Sequence, residues 1–550
     1  MSGNTRRAAL NIARYRSPPP PPSSQKASSS LLSSCGASTP LSHKYLTNGG
    51  IVEGVWLFHR HGDRTTNRPL CADHMIELES EFWRSKIPSE ETYDHFNERF
   101  PPNLHESHAR HGYLDAKREP YGRLTCKGIE QMRTTGRRFG LRYEQYGHHA
   151  RRKKDQTVLL RGKNNGRVIA GDGDFLDYWD VQACSTNYLR TIASAQSFLD
   201  GVFGSTSVLR PGMTTTPKQN DLLSYAPVQQ VPINVRDRSN DTLNAFDREP
   251  ALMRNLVSDV MSSPNFCERD ARAAPLAARL ANFLPGLNIH KKKKEQQPKL
   301  FGEKPPPSNI NWIHATDHFV CRASHGLPYT AYSAFENDES VESTMAAMAS
   351  PTLAHLAWRF RQWYLNEELL SAVAAPPLRE IEGQICSAPF LGVEERRPFV
   401  VYSCHDVTLL SLLYGIGADF LIKKKKRVNG FDAMNGIEEE EWGSWRWWPA
   451  YASTLAFELV RVDERGTGLD SHVIRIFLNG KPLKVVDPEM RKEGIMIGDT
   501  DSANNGFGSK ALRLSDFSRI VNHLEQVGGR GRSNVGRDED EERDMSIWTG

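Results

Sequence analysis

Two apolar runs along the chain end abruptly in polar residues. Val55–Phe58 reads VWLF and is followed by HRHGDR, and Pro398–Cys404 reads PFVVYSC and is followed by a histidine and an aspartate. Continuous runs of strand-forming residues are typical of strands buried on both faces, in parallel or mixed sheets covered by helices. The pattern therefore predicts an α/β fold with a mixed central sheet and helices on both faces. The polar residues lie at the carboxyl ends of its strands, where such sheets bind ligands.

Helical periodicity fills two of the segments between these runs. Thr125 is placed to cap a helix whose apolar face consists of Ile129, Met132, Phe139 and Tyr143. A second helix follows the strand-like run Val181–Ala183, with Ser185 or Thr186 as its predicted N-cap. Arg190 then falls early in this helix, close to backbone N–H groups that favour anions.

Composition limits the class of protein. A chain of 550 residues with 38% hydrophobic content can bury a sizeable core. A net charge of +4 is small for this length and gives no general case for nucleic-acid binding. No apolar window approaches the length of a transmembrane helix. The eight cysteines include no C-x-x-C pair, which argues against a zinc ribbon or a thioredoxin-type site.

Charged and low-complexity segments flank and interrupt the chain. Residues 1–50 are rich in serine and arginine and contain no acidic residue, which predicts a disordered or transit-peptide-like leader and a mitochondrial or other organellar location, with the cytoplasm as the alternative. The lysine runs Lys291–Lys294 and Lys423–Arg427 are typical of solvated loops, and contact with an anionic membrane is the alternative. Residues 528–550 are predicted to be a disordered charged tail.

The sequence His59-Arg60-His61-Gly62-Asp63 allows two kinds of site. Alternating histidine and aspartate side chains suit zinc, because imidazole and carboxylate are ligands that zinc prefers. Yet Arg60 and Arg64 would repel a divalent cation, whereas their planar guanidinium groups match the oxygens of phosphate. The arginines favour an anion site over a metal site.

Six motifs follow one another along the chain. They are RHGDRT (Arg60–Thr65), GRLTCKG (Gly122–Gly128), STNYLRTIASAQSFLDG (Ser185–Gly201), HD (His405–Asp406), YASTLAFEL (Tyr451–Leu459) and RIFLNGKPL (Arg475–Leu483). In these motifs and their order, the chain resembles the histidine acid phosphatases, branch 2 of the histidine phosphatase superfamily, over about residues 51 to 485. The resemblance implies an α/β domain built from residues 51–201 and 396–527, with a mostly helical cap inserted as residues 202–395.

The resemblance also implies a role for each site residue. His61 would be the nucleophile and Asp406 the acid that protonates the leaving alcohol. The phosphate would be bound by Arg60, Arg64, Arg190 and His405. The substrate would be a small phosphorylated molecule, with no cofactor and no metal. Thr66 departs from the family, whose motif usually has proline there, and His59 stands where an apolar residue is expected.

The leading hypothesis is a metal-independent acid phosphatase that hydrolyses phosphate monoesters through a phosphohistidine. Fixed guanidinium charges would offset the repulsion of a phosphate dianion and keep His61 unprotonated. A lysophosphatidic acid phosphatase and a phytase-like inositol phosphate phosphatase are both open as subtypes, and the leader favours the first. The alternatives are a metallohydrolase built on His59, His61 and Asp63, and an inactive phosphate-binding module. Asp406 also has a purely structural interpretation, as the cap of the following helix.

Overall fold

The computed structural model describes residues 50–105, 113, 116–159, 175–204, 230–287, 310–392, 395–422, 447–462, 469–486 and 511–531. Almost all of the predicted leader, both lysine runs and residues 532–550 of the tail lie outside these residues. The disorder, targeting and membrane contact predicted for them stay predictions.

Nine strands in the described residues form one central sheet. They are β1 (Ile51–Arg60), β2 (Pro102–Leu104), β3 (Trp179–Ser185), β4 (Ile233–Val235), β5 (Arg397–Cys404), β6 (Thr454–Arg461), β7 (His472–Leu478), β8 (Lys481–Pro482) and β9 (Ala511–Arg513). Their order is β2-β4-β3-β5-β1-β6-β7-β8, with β9 also beside β7. Neighbours from β2 to β1 in this order are parallel, whereas β6 to β9 pair antiparallel. The predicted mixed sheet is confirmed.

Helices of four to 34 residues surround this sheet in the described part of the chain. They are α1 (Ile76–Arg84), α2 (Glu90–Arg99), α3 (Cys126–Leu159), α4 (Phe175–Tyr178), α5 (Leu189–Gly204), α6 (Ala245–Arg248), α7 (Pro250–Ser262), α8 (Pro264–Arg272), α9 (Ala274–Phe283), α10 (Trp312–Ser324), α11 (Glu339–Leu365), α12 (Glu367–Ser387), α13 (Asp406–Gly415), α14 (Asp419–Ile422) and α15 (Leu514–Gly531). None of these helices combines the length and the apolar composition needed to cross a membrane.

Strand β1 lies between β5 and β6 and is buried on both faces. Val55 and Leu57 belong to one hydrophobic core, which includes apolar side chains of α3 and α5. Trp56 and Phe58 belong to a second core, which includes side chains of α12, α13 and α15. Because successive side chains of a strand point to opposite faces, a continuous apolar run serves both cores at once. Helices therefore cover both faces of the sheet, as predicted.

The start of α3 confirms one predicted cap, and the start of α5 corrects another. The hydroxyl oxygen of Thr125 accepts the N–H of Gly128 at 3.1 Å, at the beginning of α3. The prediction that Ser185 or Thr186 caps the second helix was wrong, because Ser185 ends β3 and α5 begins only at Leu189. Arg190 nevertheless lies in the first turn of α5.

The range 202–395 is mostly helical in its described residues, since it contains α6 to α12. One element differs: β4 belongs to the central sheet, where it pairs with β2 and β3. The fold class predicted from the sequence is confirmed. The boundaries of the inserted cap, and of the ranges 51–201 and 396–527, stay predictions.

Candidate active site

The candidate site lies at the carboxyl ends of three neighbouring parallel strands, β3, β5 and β1. Arg60 pairs with Cys404 in the last row between β1 and β5, and the N–H of His61 then donates to the Cys404 carbonyl at 3.1 Å. Thr186 follows β3, and its hydroxyl oxygen lies 3.2 Å from Nε2 of His405. The strand register thus places the two polar clusters of the sequence side by side.

His61 is fully buried and held in one orientation. Its Nδ1 lies 2.8 Å from the carbonyl oxygen of Gly62. A carbonyl only accepts, so Nδ1 carries the proton and Nε2 keeps its lone pair. Among the described residues, no atom hydrogen-bonds to Nε2.

Electrostatics keep the His61 imidazole neutral. Burial is the largest cause that holds the pKa of His61 well below its usual value of 6.5. Further lowering comes from the positive charges of Arg190, Arg60 and Arg64. Both effects disfavour imidazolium, so the lone pair on Nε2 persists well into the acid range.

His405 lies beside His61, with 5.7 Å between the ring centroids. Its Nδ1 is 3.5 Å from Nη2 of Arg190, which can only donate, so Nδ1 accepts and Nε2–H donates to Thr186. The guanidinium carbon of Arg190 lies 4.3 Å above the ring of Tyr188. Burial first, and then the charges of the three site arginines, hold the pKa of His405 well below 6.5. Arg190 therefore contacts the pair of histidines through its hydrogen bond to His405.

Arg60 and Asp406 form an ion pair, with 2.7 Å between Nη2 and Oδ2. Segment 448–451 surrounds this pair. The carbonyl of Pro449 accepts from Nη1 of Arg60 at 2.6 Å, and the indole N–H of Trp448 donates to Oδ2 of Asp406 at 2.9 Å. The guanidinium carbon of Arg60 stacks 4.4 Å from the ring centroid of Tyr451. Both charged groups are thus fixed by partners from a late part of the chain.

Asp406 begins α13 but is not a simple helix cap. The N-cap position is His405, and it makes no side-chain capping hydrogen bond. Oδ1 of Asp406 accepts the N–H of the next residue, Val407, at 2.9 Å. Oδ2 instead accepts from Arg60 and Trp448, which directs half of the carboxylate toward the site.

Arg64 is anchored by a helix that the sequence did not connect with the site. Its Nη1 lies 2.7 Å from Oδ1 of Asp317, which is part of α10. The same Nη1 lies 3.9 Å from Sγ of Cys321, and Sγ is 3.2 Å from the hydroxyl of Tyr451. The ring of Tyr451 is 5.8 Å from that of His61. Nε of Arg64 is buried and has no hydrogen-bond partner among the described residues.

The metal-site interpretation of the H-x-H-x-D pattern is wrong, because the three side chains do not converge. His59 stacks on Phe198 at 5.4 Å between ring centroids, in the core beneath the site. Both oxygens of Asp63 are engaged elsewhere. Oδ1 accepts from Thr125 at 2.5 Å and from Nε2 of His325 at 2.7 Å, while Oδ2 accepts from Ser324. In the described ranges, no group of three or more His, Cys, Asp or Glu side chains is arranged to hold a metal ion.

Two glycines allow the RHGDRT loop to touch the start of α3. A Cβ on Gly62 would lie 2.5 Å from the carbonyl oxygen of Gly128, which is too close for a backbone contact. The N–H of Gly62 donates to the hydroxyl of Ser194 in α5 at 3.1 Å. Thr66, which replaces the usual proline, is buried, and its carbonyl accepts the N–H of Gly122 at 2.8 Å. The loop is therefore held between α3 and α5.

The family model of the histidine phosphatase superfamily (branch 2) matches residues 51–479, which is most of the chain. The chain belongs to this family. Among curated proteins, none matches the sequence at a significant level.

The chain is similar in fold to solved bacterial structures. A phytase from Citrobacter braakii is 14% identical with a TM-score of 0.41, and the match covers 86% of this chain and 98% of the phytase. A Klebsiella sp. ASR1 phytase is 13% identical with a TM-score of 0.40, covering 87% and 97%. A multiple inositol polyphosphate phosphatase from Bifidobacterium longum, in complex with inositol hexasulfate, is 12% identical with a TM-score of 0.43, covering 86% and 92%. The lysophosphatidic acid subtype favoured by the sequence stays a prediction.

The structure brings together all six residues predicted for the site of this histidine phosphatase. They are His61, Asp406, Arg60, Arg64, Arg190 and His405, and each is at most 9% exposed. Guanidinium groups carry charge at every relevant pH and match phosphate oxygens in pairs. Such a cluster around a neutral imidazole can hold a phosphoryl group and attack it. The family makes the protein a phosphatase-type hydrolase that acts on a phosphorylated substrate.

Sequence reasoning missed the residues that anchor the arginines. Tyr451 lies in a segment used to recognise the family, but nothing in its spacing indicated a contact with Arg60. Trp448 lies in the tryptophan-rich run just before it, and a polar partner for an indole N–H is a general expectation in buried sites. Asp317 is an acidic residue in a half-apolar helix, which is typical of an exposed helix face. No signal in the sequence distinguished it.

Proposed function

We propose that this histidine phosphatase hydrolyses small phosphate monoesters through a covalent phosphohistidine at Nε2 of His61, without a metal ion and best at acid pH. The observation that carries the proposal is the state of His61. Its Nδ1–H is fixed on Gly62, and Nε2 is buried, unprotonated and without a hydrogen-bond partner among the described residues. The charges of Arg190, Arg60 and Arg64 act on this imidazole and disfavour its protonation.

In the first step, the lone pair of Nε2 attacks phosphorus and the bond from phosphorus to the ester oxygen breaks. Arg60, Arg64 and Arg190 stabilise the charge on the three remaining phosphoryl oxygens, which is the main task in phosphoryl transfer. Asp406 gives its proton to the departing oxygen, so the alcohol leaves neutral. This role requires a protonated carboxyl, which is why we propose an acid optimum.

In the second step, a water molecule attacks the phosphohistidine and the bond from Nε2 to phosphorus breaks. The Asp406 carboxylate, formed in the first step, takes the proton of this water. Inorganic phosphate leaves and His61 returns to its neutral state. The His405 imidazole, with Nε2–H on Thr186, stays neutral and keeps Arg190 in place.

The proposal is tested by trapping the intermediate. Wild-type protein, quenched in base during turnover of a labelled phosphomonoester, should retain label on one histidine, because phosphohistidine survives base but not acid. His61→Ala should retain no label and lose turnover by about 10³-fold or more, as expected when a covalent nucleophile is removed.

The matched control is His59→Phe, which replaces the other buried histidine of this strand end, on the face that packs against Phe198. It should keep both label and turnover. Turnover in His61→Ala at the level of His59→Phe would overturn the assignment of the nucleophile. A wild-type protein that binds phosphate but turns over no ester would support the inactive binding module instead.

A further inference from the structure

Helix α10 contacts the RHGDRT loop at two separate points, although it belongs to the predicted cap range. The first point is Asp317. Its Oδ1 lies 2.7 Å from Nη1 of Arg64, and its Oδ2 accepts the N–H of Asn67 at 2.7 Å. One buried carboxylate therefore fixes both the side chain of Arg64 and the backbone three residues later.

The second contact point lies at the end of the same helix. Ser324, the last residue of α10, donates to Oδ2 of Asp63, and the next residue, His325, lies with its Nε2 2.7 Å from Oδ1. Asp63 and Arg64 are adjacent in the chain, but Arg64 contacts Asp317 within α10, whereas Asp63 contacts Ser324 at the end of this helix. The loop around His61 is thus held against α10 on both sides of Arg64.

The charge of Asp317 is unusual for a site that binds an anion. A carboxylate beside a phosphate-binding arginine repels a phosphate dianion, and the pair is almost completely buried, at 4% and 6% side-chain exposure. Such a carboxylate weakens ground-state binding. This loss of phosphate affinity is offset only if the orientation of the Arg64 guanidinium group matters more for catalysis than the net charge of the pair.

The contacts of Arg64 show what the carboxylate orients. Nη1 is engaged by Asp317 and by the carbonyl of Thr65 at 3.0 Å. Nε, on another side of the fork, is buried without a partner among the described residues. With Nη1 committed to the protein, Nε remains available for the transferring phosphoryl group.

We propose that Asp317 is a positioning residue for phosphoryl transfer, which holds Arg64 in its catalytic orientation at a cost in phosphate affinity and ties that orientation to α10. This inference rests on the proposed function. It predicts that kcat and phosphate affinity respond in opposite directions when the charge of Asp317 is removed.

The test is Asp317→Asn, which keeps the shape of the side chain and removes its charge. We expect kcat to fall about 10- to 100-fold, the scale for misplacing a catalytic group. KM, the inhibition constant of inorganic phosphate and its calorimetric Kd should all stay the same or decrease a few-fold, because one repelling charge is gone. Asp317→Glu keeps the charge, so it should lower kcat through misplacement without tightening phosphate binding.

The matched control is Asp270→Asn, which removes a carboxylate that pairs with Arg359 and His355 away from the site. It should lower the Tm while leaving kcat and KM per folded molecule unchanged. If Asp317→Asn behaves like this control, or if it weakens phosphate binding in parallel with its loss of kcat, Asp317 is merely structural. If Asp317→Asn does not fold, Asp317→Glu decides, since wild-type kcat in that variant overturns the inference.

The two proposals fail separately. A wild-type protein that turns over no phosphomonoester refutes the proposed function, whereas calorimetry with inorganic phosphate still reports the effect of Asp317 on binding. A wild-type protein that is active, together with an Asp317→Asn variant of unchanged kcat, refutes only the positioning role.

Discussion

Replacing Asp406 by asparagine distinguishes two roles of this residue, as the proton donor and as a partner that holds Arg60. The carboxylate accepts from Arg60 at 2.7 Å and from Trp448 at 2.9 Å. Asparagine has nearly the same volume and can still accept one of these hydrogen bonds, but it cannot give a proton to a leaving group. The substitution should therefore cause two losses, and only one of them depends on the substrate.

The first loss comes from Arg60 and is the same for every substrate. Without the carboxylate, Arg60 keeps the Pro449 carbonyl at 2.6 Å and its stack on Tyr451 at 4.4 Å, so the guanidinium group stays close to its position. We expect a loss of about tenfold or less, which is about 1.4 kcal/mol. Aryl phosphates, which release a stable phenolate, should show little beyond this loss.

The second loss comes from the missing proton. Alkyl phosphates release a poor alkoxide, so their total loss should reach about 10²- to 10⁴-fold, or roughly 3 to 5 kcal/mol. The assay is kcat/KM for esters from nitrophenyl through phenyl to glycerol phosphate, plotted against the pKa of the leaving alcohol. Asp406→Asn should steepen this plot relative to wild type.

The control for this prediction is Trp448→Phe, which removes the indole N–H from Oδ2 of Asp406 and leaves the carboxyl group intact. It should lower kcat/KM by a small factor that is the same for every ester in the series. Parallel plots for Asp406→Asn and wild type would refute the acid role, even if the variant were slow, and would leave His61 as nucleophile untouched.

Three further results are expected. Arg190→Gln removes a charge that lowers the pKa of His61, so the acid limb of kcat/KM should move to higher pH, with a loss of about 2–4 kcal/mol of transition-state stabilisation; an unmoved limb in the pH profile would contradict this. Burial lowers the pKa of His59 to about 4. Between pH 6.5 and pH 4 the unfolded state therefore protonates His59 while the folded state does not, and the free energy of unfolding decreases as the pH is lowered. His59→Phe should remove about 2 kcal/mol of the stability lost between pH 7 and pH 5, as measured by urea unfolding, and an equal loss in both proteins would exclude His59 as its source. A chelator should leave turnover unchanged while phosphate and vanadate compete with substrate, and recovery of a chelated sample by added zinc would revive a metal mechanism.

The juxtaposition of the site residues could be predicted because it follows from local pattern. His61 and His405 each follow a continuous apolar run, and parallel strands bring their carboxyl ends to the same edge. The anchors of the arginines could not be predicted in this way. Asp317 reaches Arg64 only because of how α10 packs on the loop, which no spacing in the chain encodes.

The errors in the sequence analysis have similar physical causes. Thr186 has the side chain of a good N-cap, but its hydroxyl is used by His405 and Thr191, so α5 begins later. His59 and His61 are two residues apart, which would place them on the same side of a regular strand. The strand ends at Arg60, so the chain is free to turn, and His59 packs in the core while His61 faces the arginines.

The carbonyl of Pro449 that anchors Arg60 lies 389 positions later in the chain, and this separation has a consequence for biosynthesis. At about 5–20 residues per second, a ribosome needs roughly 20 to 80 s to travel from one to the other. During that interval the nascent chain already contains His61 but lacks the Pro449 carbonyl and the Tyr451 ring that hold Arg60 in place. A chain stalled before Pro449 should therefore show no phosphatase activity, and release of the full-length chain should restore it. The hydrolase cannot act on cellular phosphate esters until most of the chain has been synthesised.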